Sequence, residues 1–294
     1  MLSVYSNIKK KDDVKPLLGN DEFVLSLCDN LTSLMEKSLS PNGSDYICCT
    51  REYSPVLALY VKILKFWKEC IILYKSGNLS VYLAFSRIIH EAYVKLVYLC
   101  ICDKEKLNDF RLNSYRNRKK LYELSTNMTD GLNMVRNIKF LEDLSADGFS
   151  ESDVSTRKKT NFDNFKAISD KVFRETYKEY SEIMYIAIYG MSSDVIHSDW
   201  GELRQLHLCD LGDGMMAPNI DNVKWRHYRI ILPIAYTVAN AISFFIPFIN
   251  TSKSIVEIGD ALMAMDSEII RVLNLVMEKM LDDYNEDPDK FMIV

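Results

Sequence analysis

Glycine and proline are scarce in this sequence, which has only ten glycines and seven prolines among 294 residues. Because long stretches contain neither residue, the chain favours long helices over short strands joined by tight turns. Apolar residues make up 48% of the chain and charged residues 26%, a balance typical of a globular protein with ample material for a core. We therefore predict an all-α protein, a multi-helix bundle of about eight to ten helices.

Recognisable metal and cofactor motifs are also missing. The seven cysteines form no Cys-x-x-Cys pair, and neither Cys48–Cys49 nor Cys100 with Cys102 has zinc-finger spacing or a nearby histidine. The Glu-x-x-His pairs of a di-iron bundle are absent, as are the P-loop and the Rossmann fingerprint. We predict reduced cysteines packed as small apolar residues, no metal and no cofactor.

The chain has no strong charge of one sign. A net charge of −5 does not argue for a nucleic-acid footprint over the whole protein, so any basic patch must be local. No apolar run of signal-peptide type follows Lys9, Lys10 and Lys11, and we expect a cytoplasmic protein. Residues 230–249 form a nearly continuous apolar run of membrane-span length. Because polar residues and prolines interrupt this run, we predict a buried core helix, with a membrane span as the less favoured alternative.

Apolar spacing and capping residues predict the positions of the helices. The predicted helices cover residues 21–37, 55–74, 79–102, 104–124, 130–146, 163–196, 224–248 and 254–282. Residues 147–161 are rich in Ser, Asp and Thr and are predicted to be a mobile loop, and 212–214 a turn. We expect residues 1–50 to form an N-terminal helical extension and residues 51–294 the main helical bundle.

A small polar cluster surrounds His197. On a helix, Ser193 and Asp194 precede His197 by four and three residues and would share its face. An imidazole held by a carboxylate can act as a general acid or base, and Ser193 would be a nucleophile if His197 reached its hydroxyl. Arg87 and Glu91 lie four residues apart on the third predicted helix and complete the predicted catalytic set. The alternatives are a histidine that caps a helix and an ordinary Arg87–Glu91 salt bridge.

Basic and aromatic residues alternate on the next predicted helix. Cations that contact phosphates and tyrosines that stack on bases are typical of nucleic-acid binding. The predicted nucleic-acid-binding residues are Arg111, Tyr115, Arg116, Arg118, Lys119 and Lys120. The alternative is a solvated helix face balanced by Glu105, Asp109 and Glu123.

Three segments resemble an uncharacterised bacterial all-helical family. They are residues 87–92 (Arg-Ile-Ile-His-Glu-Ala), residues 111–115, and residues 189–198 (Tyr-Gly-Met-Ser-Ser-Asp-Val-Ile-His-Ser). The pattern is similar in style to the HEPN-like helical bundles, some of which are metal-independent ribonucleases of toxin–antitoxin and phage-defence systems, often dimeric. The resemblance implies that His197 is the acid or base, oriented by Asp194. HEPN ribonucleases carry an arginine before this histidine with four to six residues between the two. This chain has none there, since positions 190–192 are Gly, Met and Ser, so Arg87 or Arg111 would have to supply the cation.

Three functional hypotheses follow from these observations. In the first, the chain is a partner-binding component of a bacterial defence or toxin-like system, as a homodimer or in a hetero-complex with another protein. In the second, it is a HEPN-like ribonuclease that acts on RNA through His197. The third and least favoured hypothesis is a membrane-associated helical protein. We favour the first, because helical bundles without a strong catalytic motif more often bind than catalyse.

Overall fold

The computed structural model describes residues 5–41, 43, 45–125, 131–155, 162, 164–176, 196–197, 200–213, 215–219, 226–251 and 260–287. The first helices are α1 (Lys11–Leu18), α2 (Asp21–Leu39), α3 (Ser54–Ser76), α4 (Leu79–Ile101), α5 (Lys104–Ser125), α6 (Gly131–Ala146), α7 (Glu151–Ser155), α8 (Phe165–Thr176) and α9 (Trp200–His207). Strands β1 (Leu208–Gly212) and β2 (Met215–Pro218) precede α10 (Tyr228–Thr251) and α11 (Asp260–Glu286). The all-α prediction is confirmed, with one small hairpin added.

Helices α3 and α4 form an antiparallel pair whose ends are set by local sequence. Pro55 occupies the first turn of α3, where its missing N–H costs no hydrogen bond. Gly77 ends α3 with a left-handed φ of 72°, and the Asn78 side chain then caps α4 by accepting a hydrogen bond from the Val81 amide at 3.4 Å. The two helices pack along their length, and the rings of Phe66 and Phe85 meet edge to face at 5.2 Å.

Helix α10 lies at the centre of the main core, where it packs against α2, α3, α4 and α11. Its Phe245 stacks on Tyr60 of α3 with ring centroids 3.7 Å apart, and both rings are fully buried. Val24 and Leu27 of α2 are buried in the same core cluster. The N-terminal helices therefore share one core with the rest of the bundle, and a separate extension over residues 1–50 stays a prediction.

The apolar run in α10 is a helix of membrane-spanning length. Within the ranges that the structure describes, Tyr228–Asn250 is the one helix long and apolar enough to cross a membrane. However, 78% of its most apolar stretch is buried inside the protein. This burial agrees with the prediction of a core helix and is compatible with a soluble protein.

Helices α5, α6 and α7 enclose a second, smaller cluster of buried side chains, Tyr115, Phe140, Leu144 and Val154. Part of the segment predicted to be a loop, Glu151–Ser155, is helical as α7. Ser150 and Asp153 form a reciprocal cap that starts it: the Ser150 amide donates to Asp153 at 2.7 Å, and the Asp153 amide donates to Ser150 Oγ at 3.4 Å.

The antiparallel hairpin of β1 and β2 follows α9 directly. Its turn contains Gly212 and Asp213, both with positive φ, and a bulge lies between Asp210 and Gly212. The Asn219 amide donates to the His207 carbonyl at 2.9 Å and closes the base of the hairpin. The predicted turn is therefore present over its described residues, but the two strands beside it were not predicted.

Candidate functional site

One face of α4 carries a ladder of charged side chains. Arg87 Nε donates to Glu91 Oε1 at 3.1 Å, and Lys95 Nζ lies 4.0 Å from Glu91 Oε2. The Arg87 side chain is 11% exposed, whereas those of Glu91 and Lys95 are each 35% exposed. Arg87 and Glu91, both predicted to be catalytic, thus form the salt bridge that their four-residue spacing favours.

Lys62 of α3 adds a neighbouring positive charge to Lys95, and the ring of Phe165 on α8 lies beside this ladder. Burial lowers the pKa of Lys95, Glu91 raises it, and the neighbouring charge of Lys62 lowers it further. Lys95 Nζ lies 5.9 Å from the ring centre of Phe165 on α8, and Lys62 Nζ lies 5.9 Å from that of Phe66. Sequence reasoning did not find Lys62 or the rings, because they come from other helices and share no local pattern with Arg87.

His90 is on the same helix but points into the core. It is fully buried, with its ring centre 5.7 Å from that of Phe173 on α8 and 6.4 Å from that of Tyr93. Burial lowers the pKa of His90 to about 3, so the imidazole is neutral at physiological pH. An imidazole that stays neutral and enclosed does not exchange protons with a substrate at neutral pH.

His197 lies on a helical turn, residues 196–197, and is exposed to solvent. Its imidazole is therefore accessible, as a general acid or base must be. Asp194 and Ser193 lie outside the described residues. That His197, Asp194 and either Arg87 or Arg111 meet in one cleft stays a prediction.

The predicted nucleic-acid-binding cations on α5 have partners within the chain. Arg111 Nη2 donates to the Asp147 carbonyl at 2.5 Å and lies 3.7 Å from its carboxylate. Arg118 Nη2 donates to Asp143 Oδ2 at 2.6 Å. Arg116 is half-buried, Lys119 lies 3.7 Å from Glu123, and the Lys120 side chain lies outside the described residues. These ion pairs neutralise much of the charge that phosphate binding would use.

Tyr115 is enclosed by the same network. Its hydroxyl donates to Asp147 Oδ2 at 2.6 Å, and the guanidinium of Arg118 lies 5.4 Å from its ring centre. Burial, followed by the hydrogen bond to Asp147, raises the pKa of Tyr115 to about 12. A buried ring of this kind is not available to stack on a base. The four-residue spacing of Asp143 and Asp147 could have identified them as the counterions of these arginines. The sequence analysis considered only Glu105, Asp109 and Glu123, which lie on α5 itself.

Large apolar side chains are exposed along α9 and the hairpin. Trp200 is 65% exposed, Leu211 67% and Met215 63%, and Ile196 precedes them on the described turn with 45%. Arg204 and Asp210 form an exposed pair at 3.8 Å beside these side chains. Aromatic and methionine side chains exposed in one segment are characteristic of protein interfaces.

Metal ligands do not cluster in the described part of the chain: no three His, Cys, Asp or Glu side chains there are placed to hold an ion. The described cysteines are free thiols, and burial raises the pKa of both Cys28 and Cys70 well above the usual range. Such thiols pack as apolar groups and are poor nucleophiles.

Comparison with known proteins identifies the family of this chain. No curated protein and no solved structure matches this sequence. A family model described as a family of unknown function (DUF5677) matches residues 53–215, which run from α3 to the start of β2 and include Arg87, Glu91 and His197. Because this match covers more than half of the chain, the protein belongs to the DUF5677 family.

Proposed function

We propose that this protein is a cytoplasmic helical bundle that binds a second copy of itself through α9 and the β1–β2 hairpin. The observation that carries the proposal is the exposure of Trp200, Leu211 and Met215 on one continuous segment. Tryptophan and methionine are enriched at protein interfaces, and tryptophan contributes strongly to binding energy. A self-assembling bundle suits a component of a bacterial defence or toxin-like system, the role that the sequence resemblance implies.

The hairpin offers a suitable edge for this contact. Among the described residues, β1 and β2 pair with each other alone, and an isolated two-stranded sheet is marginally stable in water. Strand β2 contains no charged residue to protect this edge. Its Pro218, which has no amide to donate, stands at the strand end, so pairing would use the backbone groups of Met215–Ala217. Antiparallel pairing of β2 with its copy about a two-fold axis would produce a four-stranded sheet and bury Met215.

The charge distribution favours β2 over β1 as the shared edge. Asp210 lies on β1 and Asp213 in the turn, both exposed. Pairing through β1 would bring the Asp210 carboxylates of two copies close together, and facing like charges destabilise a sheet. Pairing through β2 leaves these carboxylates at the outer strands of the assembly.

The oligomeric state of the full chain tests this proposal. We expect light scattering after size exclusion to give a dimer mass, and Trp200→Ser or Met215→Ser to weaken the dimer by roughly tenfold or more. Tyr46→Ser and Ile72→Ser are matched controls, because these exposed side chains lie outside the segment. A native chain that is monomeric at micromolar concentration, or that dimerises equally well in all four variants, would contradict the proposal.

A ribonuclease is the second candidate, supported by the exposure of His197. A metal-independent cleavage needs a proton acceptor near the attacking 2′-hydroxyl and a cation near the phosphate, such as Arg87. We expect cleavage of RNA in the presence of a chelator, and its loss in His197→Ala but not in His207→Ala. Absence of cleavage by the native protein across several structured and unstructured RNAs would exclude this candidate.

A further inference from the structure

Two cysteines stand next to each other in the link between α2 and α3. Cys48 and Cys49 lie in residues 46–50, which have no regular secondary structure, and both are free thiols. Consecutive Cα atoms are about 3.8 Å apart, so the chain itself keeps the two sulfur atoms within reach of each other. No other two cysteines of the sequence are adjacent. This pair can therefore react as one dithiol.

The two thiols differ in their exposure to solvent. Cys48 is exposed, and its Sγ donates to the Tyr46 carbonyl at 3.6 Å. Cys49 is half-buried, and burial, followed by the neighbouring Cys48, raises the pKa of its thiol. The thiolate is the nucleophile in thiol–disulfide exchange, and access to it limits the rate. A dissolved reagent therefore reacts with Cys48 before it reacts with Cys49.

The backbone is anchored on both sides of the pair. The Ile47 amide donates to the Leu39 carbonyl at 2.8 Å, and the Ile47 side chain is buried in the main core. The Thr50 carbonyl accepts a hydrogen bond from the Tyr53 amide at 3.0 Å, just before α3. Because the pair lies between these anchors and outside any helix, its dihedral angles can change without unfolding a helix. The two sulfur atoms can thus meet within the folded chain.

We propose that Cys48 and Cys49 form a reversible oxidation site for low-molecular-weight disulfides. The Cys48 thiolate attacks one sulfur of the reagent, a mixed disulfide forms, and the other half leaves as a thiolate that takes up a proton. The Cys49 thiolate then attacks Cys48 Sγ, the bond between Cys48 and Cys49 forms, and the second half leaves in the same way. One reagent disulfide is thereby reduced to two thiols, while the two protein thiols are oxidised to one disulfide.

The disulfide between these neighbours should be easy to reduce. The Cα atoms of an ordinary disulfide are roughly 4.4–6.8 Å apart, farther than those of adjacent residues, so this bond is strained. Strained and exposed disulfides are the labile ones that serve regulation. The site lies between α2 and α3, outside α9 and the hairpin, so oxidation and self-association are separable properties.

Mass spectrometry of the full chain after treatment with oxidised glutathione tests this assignment. Cys209 is the internal control, because it is exposed on β1 and has no adjacent cysteine. Trypsin separates the two sites into the peptides 38–51 and 205–224. We expect the peptide 38–51 to lose two hydrogen atoms and to carry no glutathione, whereas the peptide 205–224 should gain one glutathione.

Replacement of each cysteine of the pair separates the two roles. Cys49→Ser should leave one glutathione on Cys48, because no second thiol can displace it. Cys48→Ser should slow the reaction of Cys49 roughly tenfold or more, because a half-buried thiol is less accessible. In the native chain, excess reduced glutathione should restore both thiols.

The native chain alone can overturn the proposal, so the test does not depend on the folding of variants. The proposal is wrong if the peptide 38–51 retains glutathione as the peptide 205–224 does, or if its disulfide resists excess reduced glutathione. It is equally wrong if Cys49 in Cys48→Ser reacts as fast as Cys48 in Cys49→Ser.

Discussion

Ser243 of α10 donates a hydrogen bond of 3.1 Å to Oδ2 of Asp266 on α11, inside the main core. The other oxygen, Oδ1, is buried and has no hydrogen-bond partner in the described part of the chain. Burial raises the pKa of Asp266 to about 7, and the bond from Ser243 lowers it only in part. The carboxyl therefore keeps its proton up to about pH 7.

Replacing this carboxyl should change how stability depends on pH. In the unfolded chain Asp266 loses its proton near its ordinary pKa of 3.8, whereas the folded chain keeps it to about pH 7. The contribution of Asp266 to the free energy of unfolding is therefore fully present below about pH 4 and is lost as the pH rises to about 7. Asp266→Asn should raise the free energy of unfolding at about pH 8 by up to about 4 kcal/mol and change it little at about pH 4. Denaturant titrations at both pH values measure the free energy of unfolding, and Asp170→Asn, at an exposed position, is the control. If Asp266→Asn changed this free energy equally at both pH values, the raised pKa of Asp266 would be contradicted.

His90 should show the opposite pH dependence. The unfolded chain binds a proton at this imidazole below about pH 6.5, but the folded chain does so only near pH 3. Stability from His90 is therefore complete above about pH 6.5 and is lost as the pH falls. We expect the His90 signal in the NMR spectrum of the folded chain to stay constant from about pH 8 to about pH 5. Histidines of the urea-unfolded chain provide the reference, and a folded-state midpoint near theirs would show that His90 is not enclosed.

Arg111 should contribute to stability more than an exposed arginine does. Its guanidinium donates to the Asp147 carbonyl and lies 4.7 Å from the ring centre of Phe149. Arg111→Ala should lower the free energy of unfolding by about 1–3 kcal/mol, since a partly buried acceptor loses its donor. Arg204→Ala, which removes an exposed pair at 3.8 Å, should cost less than about 0.5 kcal/mol. If chemical denaturation showed the same loss of unfolding free energy in Arg111→Ala and Arg204→Ala, the Arg111 contacts would not be formed in solution.

Phe245 distinguishes a core helix from a membrane helix. Because its ring is fully buried against Tyr60, Phe245→Ala should cost about 3–5 kcal/mol of stability in aqueous buffer. Ile72→Ala, at an exposed position of α3, should change stability by less than about 0.5 kcal/mol. A native chain that stays in solution only with detergent would place α10 in lipid instead.

Local sequence signals located the strongest helices well. The predictions of residues 55–74 and 79–102 agree with α3 and α4 to within two residues at each end. The proline at the start of α3, the glycine after it and the Asn78 cap are all features that act over one turn. Helices α5, α6 and α10 were also located, although α10 begins at Tyr228, four residues later than predicted.

Elements that depend on distant contacts were not found. Helix α1 buries only Val14 and Leu18, so its apolar pattern spans a single turn and is too short to predict a helix. Arg271 of α11 donates to the Ile8 carbonyl just before it. The hairpin strands are short and largely exposed, and thus lack the alternation that predicts a half-buried strand. Most of the predicted helix 163–196 lies outside the described residues.

In the candidate site, too, contacts within one helix were predicted and contacts between helices were missed. The Arg87–Glu91 pair followed from a four-residue spacing on one helix. Asp143 and Asp147 neutralise the cations of α5 from the following helix and turn, and Lys62 approaches Lys95 from the preceding helix. The spacing of residues in a single sequence does not show which helix faces pack together and bring such charges into contact.

The separation of the Tyr115–Phe140 cluster from the main core has a consequence for how the molecule unfolds. Since α6 and α7 bury their side chains in that cluster, they can detach from α5 while the packing around α10 stays intact. Amide hydrogens of α6 should therefore exchange with deuterium through a local opening, ahead of those of α10. Thermal unfolding, monitored by helix content, would then show two cooperative transitions instead of one.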